Sequence, residues 1–285
     1  MKQVTSLHLS HNHLRLLSLT SQRNSWSCDA CHIVSIPNGS DLPNLNPLDI
    51  ASFIPKASGS LVITLGGGFF HIQRVPLEVA SESDRIAQIH WEASQVLIDP
   101  IEHYVVDFLP AGRVAFWTAI RKEITTNYSA FFSDLGFDTI TFVPEPLALL
   151  GLCKNNKTHQ NHGAIWLGQK WGSFVAQNNQ VLTTIETVHL HNKAHNDPHN
   201  LSQIKHWIQG DLNAERRRPT FDHILLCGET QPLTTLLESL SEFKTPRIIP
   251  FNLSDHLPNI PTEGDTTQEA HTFALALGAA MVQAQ

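Results

Sequence analysis

Basic clusters, cysteines and long apolar runs are all scarce in this 285-residue chain, and each scarcity removes a class of function. Nineteen Lys and Arg stand against 26 Asp and Glu, a formal charge of −7, and the dense basic run is Arg216–Arg218. Phosphate backbones are held by clustered positive charge, so a nucleic-acid partner is not expected. The arginine run reads as a solvated loop ahead of a strand. Four cysteines, at 28, 31, 153 and 227, are too few and too scattered for a disulfide framework, and reduced thiols are expected. No run of about 18 apolar residues occurs, which leaves no candidate spanning helix. The opening MKQVTSLHLSHNHLRLLSL alternates apolar and polar positions and lacks the apolar core of a signal peptide. A soluble, cytoplasmic protein is expected.

Enzyme signatures are missing too: there is no P-loop, dinucleotide fingerprint or Gly-X-Ser-X-Gly elbow. Cys28-Asp29-Ala30-Cys31-His32 has the spacing of haem attachment. Strand alternation between Trp26 and Val34 would turn Cys28 and Cys31 to opposite faces, so both read as structural. His189, His191, His195 and His199, beside Asp197, could offer nitrogens to zinc. Their setting, LHNKAHNDPHN, is loop-like and has no cysteine, so a solvated loop is expected and no metal site. Gly66-Gly67-Gly68 precedes a strand, without a helix dipole behind it, and reads as a hairpin turn. Asp138 with Glu145, or Glu102 with Asp107, would need a cleft and shifted pKa values to act as acid and base. Glu145, between Pro144 and Pro146, reads as fixing a strand-to-helix turn.

A hydrophobic content of 41% over this length suits two lobes with cores of their own. Leu7 and Leu9, then Leu14, Leu16 and Leu19, predict a hairpin with one buried face, and Trp26–Ile36 a third strand; 37–47, rich in proline and asparagine, is a loop. Strands follow at 61–65 and 69–75. A helix over 81–97 is opened by Ser81 and shows Ile86, Ile89, Ala93, Val96 and Leu97 at helical spacing. Strands are expected at 103–109, 113–120 and 139–143, and a helix over 122–135 stopped by Gly136. A polar linker over 154–162 leads to a meander at 164–167, 172–177 and 181–188. An amphipathic helix with Leu201, Ile204, Ile208 and Leu212, a strand at 223–226, a helix at 234–240, a strand at 247–249 and a C-terminal helix over 269–282 complete the chain. Lobe I is placed at 1–152, with an inserted subdomain at about 76–126, and lobe II, with a trimmed outer part, at 153–285.

Several ordered features carry a resemblance: a strand ending in Arg74 and Pro76, the Trp91-Glu92-Ala93 helix, Pro100 ahead of Val105-Val106-Asp107-Phe108, and Leu135-Gly136-Phe137 leading to Pro144-Glu145-Pro146-Leu147-Ala148-Leu149. In this order they resemble the type IV pilus assembly family PilM, of the FtsA-like branch of the actin-like fold. The resemblance implies an α/β, actin-like (ASKHA, RNase H-like) duplicated two-lobe fold with a small subdomain inserted in lobe I. In that superfamily nucleotide sits on two glycine hairpins, each with an aspartate, and a glycine-rich adenosine loop. The first hairpin falls on His8-Leu9-Ser10-His11-Asn12-His13-Leu14-Arg15, where acid and glycine are gone. The second falls on Trp166-Leu167-Gly168, where an indole replaces the carboxylate, and the adenosine loop on Leu226-Cys227-Gly228-Glu229-Thr230, where one glycine remains before an acid. Magnesium needs hard oxygen ligands and phosphates need unobstructed amides. A pseudo-ATPase without cofactor is therefore expected.

The implied role is a cytoplasmic scaffold, peripheral to the inner membrane through its partner, the cytoplasmic tail of a PilN-like inner-membrane protein. Homo-oligomerisation is left open. The tail would pair with a strand edge and place side chains near Phe69, Phe70, Ile72, Arg74, Trp91 and Glu92; for Phe69, Ile72 and Trp91 core packing is an equal alternative. The cytoplasmic domain of the type II secretion protein GspL shares the lobe plan but ordinarily runs on into a membrane helix, and the chain ends at Gln285 without one. A kinase or ATPase of the superfamily would need the aspartates absent at His8 and Trp166, and a histidine-rich metal binder would need zinc at His189 and His191.

Overall fold

The computed structural model describes residues 2–9, 13–22, 25–35, 59–78, 81–154, 161–190, 197–209, 221–229, 232–241, 246–257, 260 and 270–283. β1 (Lys2–Leu9), β2 (His13–Gln22) and β3 (Ser25–Ser35) form an antiparallel meander. β4 (Ser60–Leu65) joins parallel to β1 and β8 (Thr139–Pro144) parallel to β4, in the order β3-β2-β1-β4-β8. The second lobe repeats this plan. β9 (Asn161–Leu167), β10 (Trp171–Asn178) and β11 (Val181–His189) meander, and β12 (His223–Gly228) and β13 (Arg247–Pro250) add in parallel, in the order β11-β10-β9-β12-β13. The repeat is the duplicated, actin-like α/β architecture expected from the sequence.

Parallel neighbours need a crossover, and the one between β4 and β8 carries an insertion. It holds β5 (Phe70–Pro76), α1 (Glu82–Val96), β6 (Tyr104–Ala111), β7 (Val114–Arg121) and α2 (Lys122–Asp134), with the strands in a separate antiparallel sheet ordered β5-β7-β6. α3 (Glu145–Lys154) leaves β8 toward the second lobe. In that lobe α4 (Pro198–Gln209) precedes β12, α5 (Pro232–Leu240) precedes β13, and α6 (Ala274–Gln283) ends the described chain.

α1 begins where Ser81 Oγ accepts from the Asp84 amide at 3.2 Å, with Glu82 and Asp84 in the first turn at the positive end of the helix dipole. It buries Ile89, Ala93 and the following Leu97 on Val75, Tyr104 and Trp117 of the small sheet. Ile86 and Val96, expected on that apolar stripe, are exposed, because the sheet is only three strands wide and covers a narrow strip of the helix.

The hairpin of β1 and β2 departs from the expected single buried face. Leu7, Leu14 and Leu16 pack with α2 residues Tyr128, Phe131 and Phe132, while Val4, Leu17 and Leu19 pack toward α3 and α6. Layers on both sides explain why Thr5, Ser6 and Ser18 are buried between the leucines. The cysteine pair needs a second correction. The register between β2 and β3 shifts at Ser18/Leu19, so Leu19 opposes Cys28, Ser18 opposes Ala30, and Asp29 is the extra residue. That bulge returns Cys28 and Cys31 to one face, both in the central core.

α3 and α6 lie between the lobes at the heart of this core. Every residue of α6 from Ala274 to Met281 is buried, so the helix is apolar all round. The two helices cross at Gly151 and Gly278: a Cβ on either would fall within 3.0 Å of a backbone carbonyl oxygen of the opposite helix. The linker expected at 154–162 is shorter at both ends, since Lys154 belongs to α3 and Asn161 and His162 to β9. The loop at 37–47, Leu212 and the arginine run 216–218 lie outside the described residues.

Candidate functional site

The positions matched to the phosphate and adenosine loops meet between the lobes. His8 near the end of β1 is the register partner of Arg15 on β2, and both are buried. From the other lobe Trp166 brings its indole edge-on to the His8 ring, with centroids 5.0 Å apart and planes at 86°. Two rings in contact therefore stand at the positions matched to the two carboxylates. Arg15 Nη1 lies 3.8 Å from Glu229 Oε1, joining β2 to the turn after β12 with both side chains buried. Ser10 lies outside the described residues.

Glu145 opens α3 and is buried. Its Oε1 accepts a hydrogen bond from Ser173 Oγ of β10 at 2.6 Å. Burial pushes the carboxyl up to about 8; the Ser173 hydrogen bond opposes this and the Glu229 charge reinforces it. At neutral pH Glu145 is thus mostly an uncharged acid. Burial, and then the Arg15 charge, hold the His8 imidazole well below its ordinary 6.5, so it is neutral. The buried set then contains one cation, Arg15, and one anion, Glu229.

Gly168 and Gly228 survive from the matched loops, and each is placed in packed backbone. The Gly168 amide donates to the Trp171 carbonyl at 2.9 Å, closing the turn between β9 and β10. At Gly228 a Cβ would collide with the Leu167 carbonyl, and the next amide, of Glu229, donates to that same oxygen at 2.9 Å. The Trp171 ring lies over the Gly66–Gly68 turn of the first lobe; a Cβ at Gly67 would come within 2.7 Å of it. The triple glycine is a seat for an indole from the other lobe.

The residues matched to a partner groove divide. Phe70 is buried, and Phe69 and Ile72 pack beside it against Phe132, Phe137 and Ile120, so all three turn into the first lobe's core. Arg74 is exposed, Glu92 is half-buried, and Trp91 is 61% exposed on α1. What β5 leaves open is its main-chain edge, since among the described residues it pairs with β7 alone. Of the other candidates, Asp138, Glu102 and Asp107 are exposed while Glu145 is buried. His189 is exposed, its ring 5.1 Å from that of Trp171. His191 and His195 lie outside the described residues, among which no three side chains gather as metal ligands. Among them, too, no helix is long and apolar enough to cross a membrane.

Sequence reading missed the Glu145–Ser173 contact and the docking of Trp171. Both cross between lobes through residues 28 and about a hundred positions apart, and no local spacing marks them.

No family model matches the sequence, and neither does any of the curated proteins compared with it. Solved structures do match, over the whole length. The chain is similar to a structure described as the PilM-PilN type IV pilus biogenesis complex, at TM-score 0.77 and 13% identity, covering 99% of this chain and 98% of that one. It is also similar to a Bacteroides thetaiotaomicron protein of actin-like ATPase fold and unknown function, at TM-score 0.62 and 12% identity, covering 99% and 96%. The cytoplasmic domain of EpsL, an inner-membrane component of the type II secretion system of Vibrio cholerae, aligns at TM-score 0.57 and 9% identity, covering 100% and 96%. At these identities the likeness establishes the actin-like fold.

Proposed function

We propose that this protein is a non-catalytic cytoplasmic scaffold of a type IV pilus or related secretion assembly, holding the cytoplasmic tail of a PilN-like inner-membrane protein and reaching the membrane through it. The observation that carries the reading is the end-to-end likeness to the chain solved in the PilM-PilN complex. The state of the cleft supports the non-catalytic part. Phosphoryl transfer depends on a metal held by carboxylates and on amides free to cradle phosphate. Here an imidazole and an indole occupy the carboxylate positions, Glu229 is committed to Arg15, and Glu145 is neutral.

The edge of β5 can take a tail by main-chain pairing, with Arg74 and the exposed Trp91 as candidate contacts on the same subdomain. A synthetic peptide of a PilN-like protein's cytoplasmic tail should bind the full chain in calorimetry, and Mg-ATP at millimolar concentration should give neither heat nor a thermal shift. Absence of peptide binding would remove the assembly role; micromolar ATP binding would remove the pseudo-ATPase reading and favour a kinase or ATPase of the superfamily. The likeness to the EpsL cytoplasmic domain supports a second reading, a component of a type II secretion system, which a tail from that system would reveal by binding instead.

A further inference from the structure

We infer that the packed cleft is a proton-operated clasp: the two lobes stay closed on each other while Glu145 holds its proton and part when it ionises, so that protons take the controlling position in the cleft. The inference rests on the cleft's geometry and does not depend on which partner the protein binds.

Glu145 is placed where both lobes touch it. It sits in the first turn of α3, accepts from Ser173 of the second lobe, and has its Oε2 3.7 Å from where a Cβ on Gly66 of the first lobe would be. Trp171 seats on that same glycine turn. Among the described residues, the titratable and charged groups around it are these. Glu229, on the turn after β12, raises the Glu145 carboxyl and is paired with Arg15 of β2. Cys227 of β12 has its thiol pushed up by burial, by Cys153 and by Glu145 itself. His8 of β1 is neutral. Ser173 is the polar contact from β10, with Thr187 of β11 3.4 Å from its hydroxyl.

With Glu145 protonated, Arg15 and Glu229 balance. Removing the proton adds an anion that no further buried Lys or Arg among the described residues answers. The dipole at the start of α3 favours that anion, but burial outweighs it, as the direction of the carboxyl's shift shows. An uncompensated charge in a dry site is relieved by admitting water. Here water enters by separating the surfaces that meet at Glu145, namely the Gly66–Gly68 turn, β10 and the turn after β12. The lobes are thus a two-state element biased by a single proton.

The test compares the full chain with Glu145→Gln, which keeps the shape and removes the titration, by small-angle scattering and amide hydrogen exchange at about pH 6.5 and about pH 9. The expected result is a larger radius of gyration and roughly tenfold faster exchange, corrected for intrinsic rates, in segments 66–70 and 168–173 of the unmodified chain at the higher pH. Glu145→Gln stays closed at both. An unmodified chain unchanged between the two pH values, or a Glu145→Gln protein that opens with the same midpoint, overturns the inference. Ser173→Ala provides an independent arm if Glu145→Gln does not fold. Loss of a donor that holds Glu145 in the closed state should move the opening midpoint to lower pH, and an unmoved midpoint likewise counts against the clasp.

Discussion

Gly278→Ala should destabilise the protein although alanine is the better helix former. In an exposed helix interior that exchange would gain about 1 kcal/mol. Gly278 is buried in α6, and a Cβ there would fall within 3.0 Å of the Ala148 carbonyl and 3.1 Å from Leu152 Cγ. The colliding oxygen is backbone, so no rotamer change relieves it, and α3 and α6 must part by about an ångström or more. Overpacking that moves backbone costs up to about 3 kcal/mol. Set against the propensity gain, the net loss is about 2 kcal/mol, a fall in Tm of roughly 4–8 °C for a chain of this size. Urea denaturation should show a lower midpoint with an unchanged slope. Gly151→Ala should lose a similar amount, because its Cβ would meet the Gly278 carbonyl. The double variant should lose less than the sum, since one separation relieves both collisions. Gly278→Ala as stable as the parent would refute the tight crossing.

Further predictions come from the cleft and the small sheet. Glu229→Gln, which leaves Arg15 buried beside a neutral amide, should cost about 3 kcal/mol or more, while joint replacement of Arg15 by Met and Glu229 by Leu should cost less than the two single changes together; a double-mutant cycle in urea measures this. Trp91→Ala should leave Tm nearly unchanged and weaken tail-peptide binding at least about tenfold in calorimetry, whereas Phe70→Ala should lose about 3 kcal/mol in urea by opening the first lobe's core. Below about pH 6.5 the unfolded chain protonates a histidine that the folded state keeps neutral, so the depressed His8 removes stability there, against the gain from Glu145, which is protonated in the folded state and ionised in the unfolded. Relative to the parent, His8→Asn should therefore gain stability as pH falls through this range in thermal melts.

The duplicated lobes were legible because local patterns carried them: the two meanders, the serine cap at Ser81 and the Gly136 stop each depend on neighbours in sequence. That His8 and Trp166 stand at the positions matched to the carboxylates was readable for the same reason, as a residue type at a matched position. The filling of the space was not, for it joins β1 to β9 and β2 to the turn after β12, and such contacts have no period. The bulge at Asp29 reversed the faces of Cys28 and Cys31 because an extra residue in one strand is invisible to a period of two. Phe69, Phe70 and Ile72 illustrate a further limit. An apolar run on an edge strand is the same whether it faces a groove or a core, and only the position of α2 decides it.

A polar hollow between the lobes, lined by unpaired groups, would be costly. The cleft of this chain is packed with its own side chains. An imidazole–indole contact, a buried ion pair and a neutral acid bonded to serine each reach from one lobe to the other, above a core that already runs through α3 and α6 into both sheets. Cohesion between the lobes is therefore intrinsic to the chain, and a partner that engages the small sheet meets a body already closed. Tail binding to such a body should change little in the backbone around α3 and α6. Exchange protection of those two helices, measured with and without peptide, should stay the same; a gain in protection on binding would mean that the lobes need the partner to close.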